Sequence, residues 1–308
     1  MNQLLDAHHS VRCLPWQGLV DEIVRLLEGE PVQVPPRLVQ ALPGGGSLFI
    51  MPAVDDRVAI TKLITYTPAN SAKGVAAIQG DVVVFDNATG RRSLLIDGPT
   101  LTARRTAAVS ALAALRLAPN TNGPMLVVGA GVQGKAHLEA FAALLGVTKF
   151  VIASRSPAST LSLAAHANAM GMHAQMVTDA DAAMAHCPLV VTCTPAGAVV
   201  LRTPPRSDSF IAAVGAFTPA MRELDTALCR HIAANGSIVL DSAEARHEAG
   251  DLLQAGLDIS HCATLAEVVR QPMPKPQGPV LFKSCGWAGW DLAAARTALR
   301  FLRSDWAV

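Results

Sequence analysis

A glycine-rich turn stands between an apolar run and a helix-like run near the middle of the chain. The segment LVVGAGVQG, residues 126–134, carries three glycines in the spacing GxGxxG. The first glycine allows a tight turn, the second lets the backbone approach a pyrophosphate, and the third lets helix and strand pack closely. The N-terminus of the following helix faces the anion. We therefore expect a dinucleotide to bind at Gly129, Gly131, Val132, Gln133 and Gly134.

The next apolar run, KFVIA, ends at Ser154, Arg155 and Ser156. This is about 20 residues beyond the motif, where NAD enzymes usually carry an acid for the ribose hydroxyls. No Asp or Glu stands there. A guanidinium beside two hydroxyls suits the 2′-phosphate of NADP, so we expect NADPH as the cofactor, with NADH as the weaker candidate. The alternative is an ordinary surface arginine at a strand end.

Three cations in the first third of the chain could bind an anion: Arg37 in VPPRLV, Lys62 in AITKLITY and Arg105 in LTARRTAA. Lys62 shares a strand face with Ile60 and Ile64, so it is either an edge residue or a charge aimed into a cleft. Arg105 lies in the first turns of an Ala-rich helix, beside two threonines, where the helix N-terminus adds donors for an anion.

We expect the other charged residues discussed next to have structural rather than chemical roles. Arg104 points about 100° away from Arg105 on the helix, and we expect it to be solvated. Glu223 and Asp225 could form a general acid/base pair, but beside a helical run they more often satisfy N-terminal amides. The nine histidines form no zinc-binding motif, so metal catalysis is not expected.

Composition excludes several classes of protein. The formal net charge is +1 with scattered Lys and Arg, so neither nucleic acid nor an anionic lipid surface is an expected partner. The six cysteines form no CxxC pair, which is typical of reduced thiols. Without a signal-like or membrane-spanning apolar run, we expect a cytoplasmic protein.

Hydrophobic periodicity divides the chain into two parts with different patterns of predicted secondary structure. Residues 47–97 read as short strands with a hairpin turn at NATG, preceded by an amphipathic helix at 15–28. From Met125, apolar strands alternate with helices, which indicates a parallel sheet buried on both faces. The predicted fold class is α/β, with a Rossmann-type doubly wound sheet at 120–280. We expect residues 1–119 with 281–308 to form a separate α+β domain.

Together, several segments resemble the ornithine cyclodeaminase/μ-crystallin family, which also contains cyclic ketimine reductases and an alanine dehydrogenase. The segments, in this order along nearly the whole chain, are FDNATG, DGPTLTARRTAA, VVGAGVQG, SRS, TCTPA, ELD, EAGDL and FKSCGWAGWDLAAA. TLTARRTAA is specific to that group. The glycine motif alone is shared by many dehydrogenases.

The resemblance implies a homodimer in which the α+β domain, completed by the C-terminal helix, binds substrate and forms the subunit interface. It also assigns roles to individual residues. Arg37, Lys62 and Arg105 match the family's ligands for the substrate carboxylate, and we place Thr106 in the same site. Thr194 and Pro195 match the loop near the nicotinamide. Ser154 and Arg155 match the adenosine-ribose side of the cofactor site.

Two departures favour the reductase branch of the family. Phe49 and Phe217 stand where the cyclodeaminase branch carries Glu and Asp, the groups that handle the substrate amines. We therefore expect NADPH-dependent reduction of Δ1-pyrroline-2-carboxylate or Δ1-piperideine-2-carboxylate to proline or pipecolate. The ring nitrogen is protonated either on binding, as an iminium, or by Lys62, the candidate catalytic residue. The alternatives are an NAD-dependent cyclodeaminase, an alanine dehydrogenase-like enzyme, and a μ-crystallin-like binding protein without turnover.

Overall fold

The structure, a computed structural model, describes residues 3–29, 32–195, 197–271 and 274–304. The chain divides into two compact units. Unit 1 consists of Met1–Arg105 with Trp287–Val308, and unit 2 consists of Thr106–Gly286. Both ends of the sequence therefore contribute to unit 1. No helix in the described part of the chain is long and apolar enough to cross a membrane.

Unit 1 is built on a six-stranded sheet with helices formed by the two ends of the chain. The strands are β1 (Gln3–Leu5), β2 (Leu38–Ala41), β3 (Ser47–Val54), β4 (Val58–Tyr66), β5 (Ile78–Asp86) and β6 (Arg92–Asp97). The helices are α1 (Ala7–Cys13), α2 (Trp16–Glu28), the start of α3 (Gly98–Leu117) and the C-terminal α10 (Ala288–Ser304), and a 3-10 turn spans Pro68–Lys73. The strand order is β1-β6-β5-β4-β3-β2, and every pair except β1–β6 is antiparallel.

The hairpin predicted at NATG is confirmed, but its first strand is longer than the sequence pattern indicates. The apolar runs VAAIQG and DVVVFD each have the pattern of a short strand, but residues 78–80 of the first run continue into the second as the single strand β5. Gly80 makes this continuity possible, because its φ is +123° and a Cβ there would overlap the Leu63 carbonyl oxygen. Only glycine lets the two backbones approach so closely.

Unit 2 is an eight-stranded sheet with helices between its strands. Its elements are β7 (Met125–Val128), α4 (Val132–Leu145), β8 (Lys149–Ala153), α5 (Pro157–Ala169), β9 (His173–Val177), α6 (Ala180–Met184), β10 (Leu189–Thr192), β11 (Phe210–Ala213), α7 (Thr226–Asn235), β12 (Ser237–Leu240), α8 (Gly250–Gln254), β13 (Ala263–Thr264), α9 (Leu265–Arg270) and β14 (Val280–Lys283), with a second 3-10 turn at Ala243–His247. The described strand pairs are all parallel.

The strand order β13-β12-β14-β11-β10-β7-β8-β9 confirms the predicted Rossmann-type sheet. Strands β7, β10 and β11 are buried along their whole length, as expected for a parallel sheet covered on both faces. The chain moves outward through β8 and β9 on one side of β7, then returns to β10 on the other. This reversal between β7 and β10 creates the crevice at which open α/β sheets bind ligands.

The boundary between the units lies within α3, earlier than the polar linker at 119–124 that the sequence indicates. The reason is that the second half of α3 packs within unit 2, where Ser110 Oγ lies 3.0 Å from His137 Nε2 on α4. Burial lowers the pKa of His137 to about 4, so the imidazole is neutral. Its Nδ1–H then donates to the Gln133 carbonyl oxygen at 2.8 Å. The return to unit 1 occurs at Trp287, immediately before α10.

Candidate functional site

Two buried cations of unit 1 share one carboxylate. Lys62 on β4 forms an ion pair with Asp291 on α10, with 2.9 Å between Nζ and Oδ2. Arg105 on α3 donates from Nε to the other oxygen, Oδ1, also at 2.9 Å. All three side chains are buried. The three elements that meet here are therefore a central strand, the helix that follows the sheet and the last helix of the chain.

Strand pairing explains why Lys62 is buried. It lies on β4 between Ile60 and Ile64, and both of these residues are buried on the same face. Because β4 pairs with β3 on one side and β5 on the other, Lys62 is not an edge residue. Its partners across the sheet are Met51 and Val82, which are also buried. Of the two interpretations the sequence left open, the structure supports the inward-facing charge.

The cluster carries more positive than negative charge. Burial lowers the pKa of Lys62 to about 8, while Asp291 acts in the opposite direction and Arg105 and Arg37 lower the pKa further. Arg37 is half-buried in the segment before β2, and its charge acts on Lys62. Of the candidate substrate residues, the structure thus joins Lys62 and Arg105 through Asp291, and the charge of Arg37 acts on Lys62. Such an excess of positive charge attracts a further anion.

The helix that carries Arg105 also provides hydroxyl groups. Thr102 and Thr106 are both mostly buried, and Thr102 lies one helical turn before Arg105. The Thr102 hydroxyl oxygen has no hydrogen-bond partner among the described residues. A buried hydroxyl without a partner is costly, so an anion that accepted its hydrogen would remove that cost.

Arg104 differs from the sequence expectation that it is solvated. Its side chain is buried, its Nε donates to the Leu14 carbonyl oxygen at 2.8 Å, and its guanidinium lies 3.8 Å above the ring of Trp16. The helical angle does separate Arg104 from Arg105 as predicted. The sequence could not show that the segment before α2 covers Arg104 and anchors it.

Asp291 is the member of this cluster that the sequence pattern did not indicate. It is fully buried between Trp290 and Leu292, which are also buried. The sequence did contain a signal for Asp291, because a carboxylate that is buried in an apolar helix requires a cationic partner. In GWAGWDLAAA this single acid stands among apolar residues.

The glycine turn of unit 2 fits a dinucleotide. A Cβ at Gly129, whose φ is +114°, would lie 2.7 Å from the Cys193 carbonyl oxygen, and one at Gly134 would overlap the Gly129 carbonyl oxygen. A Cβ at Gly131 would instead meet open space. Gly131 caps α4 without any side-chain hydrogen bond, which leaves the first amides of the helix available to a phosphate.

The neighbours of Gly131 support the same fit. Val132 is exposed at the start of α4. Gln133 is half-buried, and its side-chain oxygen is buried without a hydrogen-bond partner in the described part of the chain. A bound polar molecule could complete this hydrogen bond. The residues present therefore fit a nicotinamide dinucleotide.

The three residues after β8 lie at the carboxyl end of the strand next to the glycine turn. Arg155 is exposed, and the Ser154 hydroxyl accepts a hydrogen bond from the Ser156 amide at 3.4 Å. Ser156 is the N-cap of α5 and accepts from the Ser159 amide at 3.2 Å. Ser156 thus already has a structural role in capping the helix, whereas Arg155 projects into solvent.

The loop after β10 holds the two residues expected near the nicotinamide. Thr194 donates from its amide and from its hydroxyl to Glu223, at 2.6 and 2.8 Å. Pro195 is exposed. No group of three or more His, Cys, Asp and Glu side chains that could hold a metal ion occurs among the described residues.

Comparison with known proteins identifies the family. The sequence model of the ornithine cyclodeaminase/mu-crystallin family matches residues 8–302. The chain belongs to this family. Delta(1)-pyrroline-2-carboxylate reductase 2 of Burkholderia ambifaria is 38% identical over 281 residues, which cover 91% of this chain and 88% of that protein.

One further protein and one solved structure are similar to most of this chain. The Delta(1)-pyrroline-2-carboxylate/Delta(1)-piperideine-2-carboxylate reductase of Azospirillum brasilense is 39% identical over 264 residues, or 86% of this chain and 83% of that protein. The structure of Thermococcus litoralis Delta(1)-pyrroline-2-carboxylate reductase in complex with NADH and L-proline matches with a TM-score of 0.90 and 25% identity, covering 98% of each chain.

Phe49 and Phe217, on which the prediction of the reductase branch rests, lie in different units. Phe49 is buried on β3, opposite Ile64 and on the same sheet face as Lys62. Phe217 is partly buried and packs against the core of unit 2. Phe49 thus adds apolar surface to the face that carries the cation cluster.

We predict that Lys62 titrates well below an ordinary lysine. The chain has six lysines, so 13C labelling of lysine gives a spectrum that can be assigned by substitution. One Cε signal should titrate near pH 8 and disappear in Lys62→Met, since burial disfavours its charged form. Lys62 is then an ammonium below about pH 8 and a neutral amine above it.

Lys283 is the internal control for this titration. Burial alone would lower its pKa, but Asp251, Cys285 and Glu223 raise the pKa above the ordinary value. Its signal should therefore stay unchanged through pH 8. A Lys62 signal that moves only above pH 10 would contradict the description of the cluster.

Proposed function

We propose that this chain catalyses the NADPH-dependent reduction of a cyclic ketimine carboxylate to a cyclic amino acid. The substrate would be Δ1-pyrroline-2-carboxylate or Δ1-piperideine-2-carboxylate, and the product L-proline or L-pipecolate. The observation that carries the proposal is the buried cluster of Lys62, Arg105 and Asp291, which has two cations for one carboxylate. A substrate carboxylate would supply a second anion. The names of the Burkholderia and Azospirillum relatives support the same reaction class.

The residues of the cluster have separate roles in binding the substrate carboxylate and in proton transfer. Arg105 and Lys62 would bind the carboxylate, with Arg37 adding positive charge and the hydroxyls of Thr102 and Thr106 adding donors. The bound cofactor supplies the hydride to the imine carbon. The ring nitrogen gains its proton either before binding or from Lys62, whose pKa of about 8 leaves it charged, yet able to release a proton, near neutral pH.

The preference for NADPH rests on the residues after β8. Arg155 is exposed at the strand end, and no carboxylate follows the strand in Ser154–Arg155–Ser156 to hold a 2′-hydroxyl. The Thermococcus reductase, by contrast, was solved with NADH. Cofactor choice is therefore a separate part of the proposal and needs its own test.

A homodimer is also part of the proposal. The outer face of the unit 1 sheet carries the apolar row Leu38, Ile50 and Leu63, which are paired across β2, β3 and β4. Leu38 and Leu63 are exposed, and Ile50 between them is partly buried. An exposed apolar row on a sheet face is typical of a surface that another subunit covers.

The direct test is turnover of both cyclic imines with purified protein. We expect loss of NADPH absorbance with the five- or six-membered imine and no ammonia release from L-ornithine with NAD⁺, because Phe49 and Phe217 offer no proton acceptor. Ammonia release at a rate comparable to imine reduction would support a cyclodeaminase. Tight binding of NADPH without turnover of either imine would support the binding-protein alternative.

The cofactor prediction concerns Arg155. Arg155→Ala should raise the KM for NADPH about ten- to a hundredfold and leave the KM for NADH nearly unchanged, since a hydrogen bond to a charged group contributes about 1.5–3 kcal/mol. Lys149→Ala, an exposed cation at the opposite end of β8, is the matched control and should change neither value. Equal changes for both cofactors in Arg155→Ala would show that this residue does not bind the phosphate.

A further inference from the structure

Glu223 is a buried carboxylate with four hydrogen-bond donors. The sequence suggested that Glu223 and Asp225 both satisfy the N-terminus of α7. Asp225 does so as the N-cap, accepting from the Ala227 amide at 2.8 Å. Glu223 instead points away from α7 and is fully buried. Its side chain accepts from the Thr192 hydroxyl at 2.9 Å, the Thr194 amide at 2.6 Å, the Thr194 hydroxyl at 2.8 Å and the Gly215 amide at 2.7 Å.

Three of these donors lie in the loops after β10 and β11, and the fourth, Thr192, is the last residue of β10. Thr194 lies two residues beyond the end of β10, and Gly215 lies two residues beyond the end of β11. The carboxyl ends of parallel strands next to a switch point are where such sheets bind ligands. A side chain at Gly215 would overlap both the Glu223 carboxylate and the Thr194 carbonyl oxygen, so this glycine makes room for the carboxylate.

Asp251 and Lys283 hold the backbone segment that carries Glu223. Asp251 Oδ1 accepts from the amides of Glu223 and Leu224, at 2.6 and 2.9 Å. Asp251 Oδ2 lies 2.7 Å from Lys283 Nζ, and Lys283 donates to the Ala216 carbonyl oxygen at 2.6 Å. Both side chains are buried. The backbone that carries Glu223 is therefore held by buried hydrogen bonds, as are the loops that Glu223 binds.

The glycine turn has backbone hydrogen bonds of its own. The Gly129 amide donates to the Ala153 carbonyl oxygen, and the Cys193 amide donates to the Val128 carbonyl oxygen, each at 2.9 Å. These bonds do not involve Glu223. Loss of the Glu223 carboxylate should thus loosen the loops after β10 and β11 while leaving the predicted phosphate site intact.

We propose that Glu223 is a positioning residue for hydride transfer, which fixes the loops at Thr194 and Gly215 against the nicotinamide end of the cofactor. This inference rests on the proposed reductase function. Glu223 is buried behind the loops and acts through them, so it touches neither substrate nor cofactor. An error of about 1 Å in the position of reacting groups can reduce a rate a hundredfold. The backbone bonds of the glycine turn do not involve Glu223, so we expect the phosphate contacts of the nucleotide to be retained without it.

The test is Glu223→Gln, which keeps the shape of the side chain but replaces one acceptor oxygen with an NH₂ group facing a backbone N–H. We expect kcat for imine reduction to fall at least tenfold, while the Kd for NADPH changes less than threefold. The primary isotope effect on kcat with NADPH deuterated at C4 should rise, because hydride transfer becomes more rate-limiting. A substitution that only lowered the stability of the folded protein would not raise the isotope effect.

The matched control is Glu267→Gln, which removes a carboxylate that accepts from the amide and hydroxyl of Thr264 in the capping box of α9. This change should leave kcat and the isotope effect as in the wild type. If Glu223→Gln does not fold, Thr192→Val removes one of the four donors and should produce a smaller fall in kcat at unchanged Kd.

The outcomes separate the two proposals. Wild-type protein that turns over neither imine would refute the proposed function. Wild-type turnover combined with a Glu223→Gln variant, or its Thr192→Val substitute, that matches Glu267→Gln would overturn the positioning role alone. A parallel loss of NADPH affinity and kcat with an unchanged isotope effect would overturn it as well.

Discussion

A single carboxylate holds two buried cations in unit 1, and the architecture of that unit depends on this pairing. Removing an ammonium or a guanidinium from water costs several kcal/mol per ion, and a partner offsets the cost only with good geometry. Asp291 gives one oxygen to Lys62 and the other to Arg105, each at 2.9 Å. Because Asp291 lies on α10, the last helix must return to the sheet that carries Lys62. The first unit is consequently built from both ends of the chain.

The cluster defines the chemistry that unit 1 can support. Its own carboxylate balances one of two cations, and Arg37 adds further positive charge. The same sheet face is otherwise apolar, with Phe49, Ile60 and Ile64 buried beside Lys62. Attraction for an anion is stronger in such surroundings than in water. A flat, mostly apolar ring with one carboxylate matches both properties. A flexible diamino acid also has a carboxylate, but its two ammonium groups do not match the apolar, positively charged surroundings.

The sequence predicted features that depend on local pattern. The helix predicted after GxGxxG is present and spans Val132–Leu145, because the strand, the turn and the helix are adjacent in the chain. Features that depend on distant pairing were not predictable. Whether Lys62 lies at an edge or in the centre is decided by the neighbours of β4, and Asp291 contacts Arg105 across 186 residues. Likewise, the role of Glu223 emerges only when the loops after β10 and β11 are brought together.

The most direct measurement is the affinity of the NADPH-bound protein for L-proline, determined by calorimetry in wild type, Arg105→Met and Arg104→Met. Arg104 is the matched control, because it is a buried arginine one position away with different partners, Leu14 and Trp16. If Arg105 binds the carboxylate, its loss should weaken L-proline binding about ten- to a hundredfold, while Arg104→Met should leave the affinity within about threefold. Equal affinities in all three proteins would contradict the assignment of the cluster as the carboxylate site.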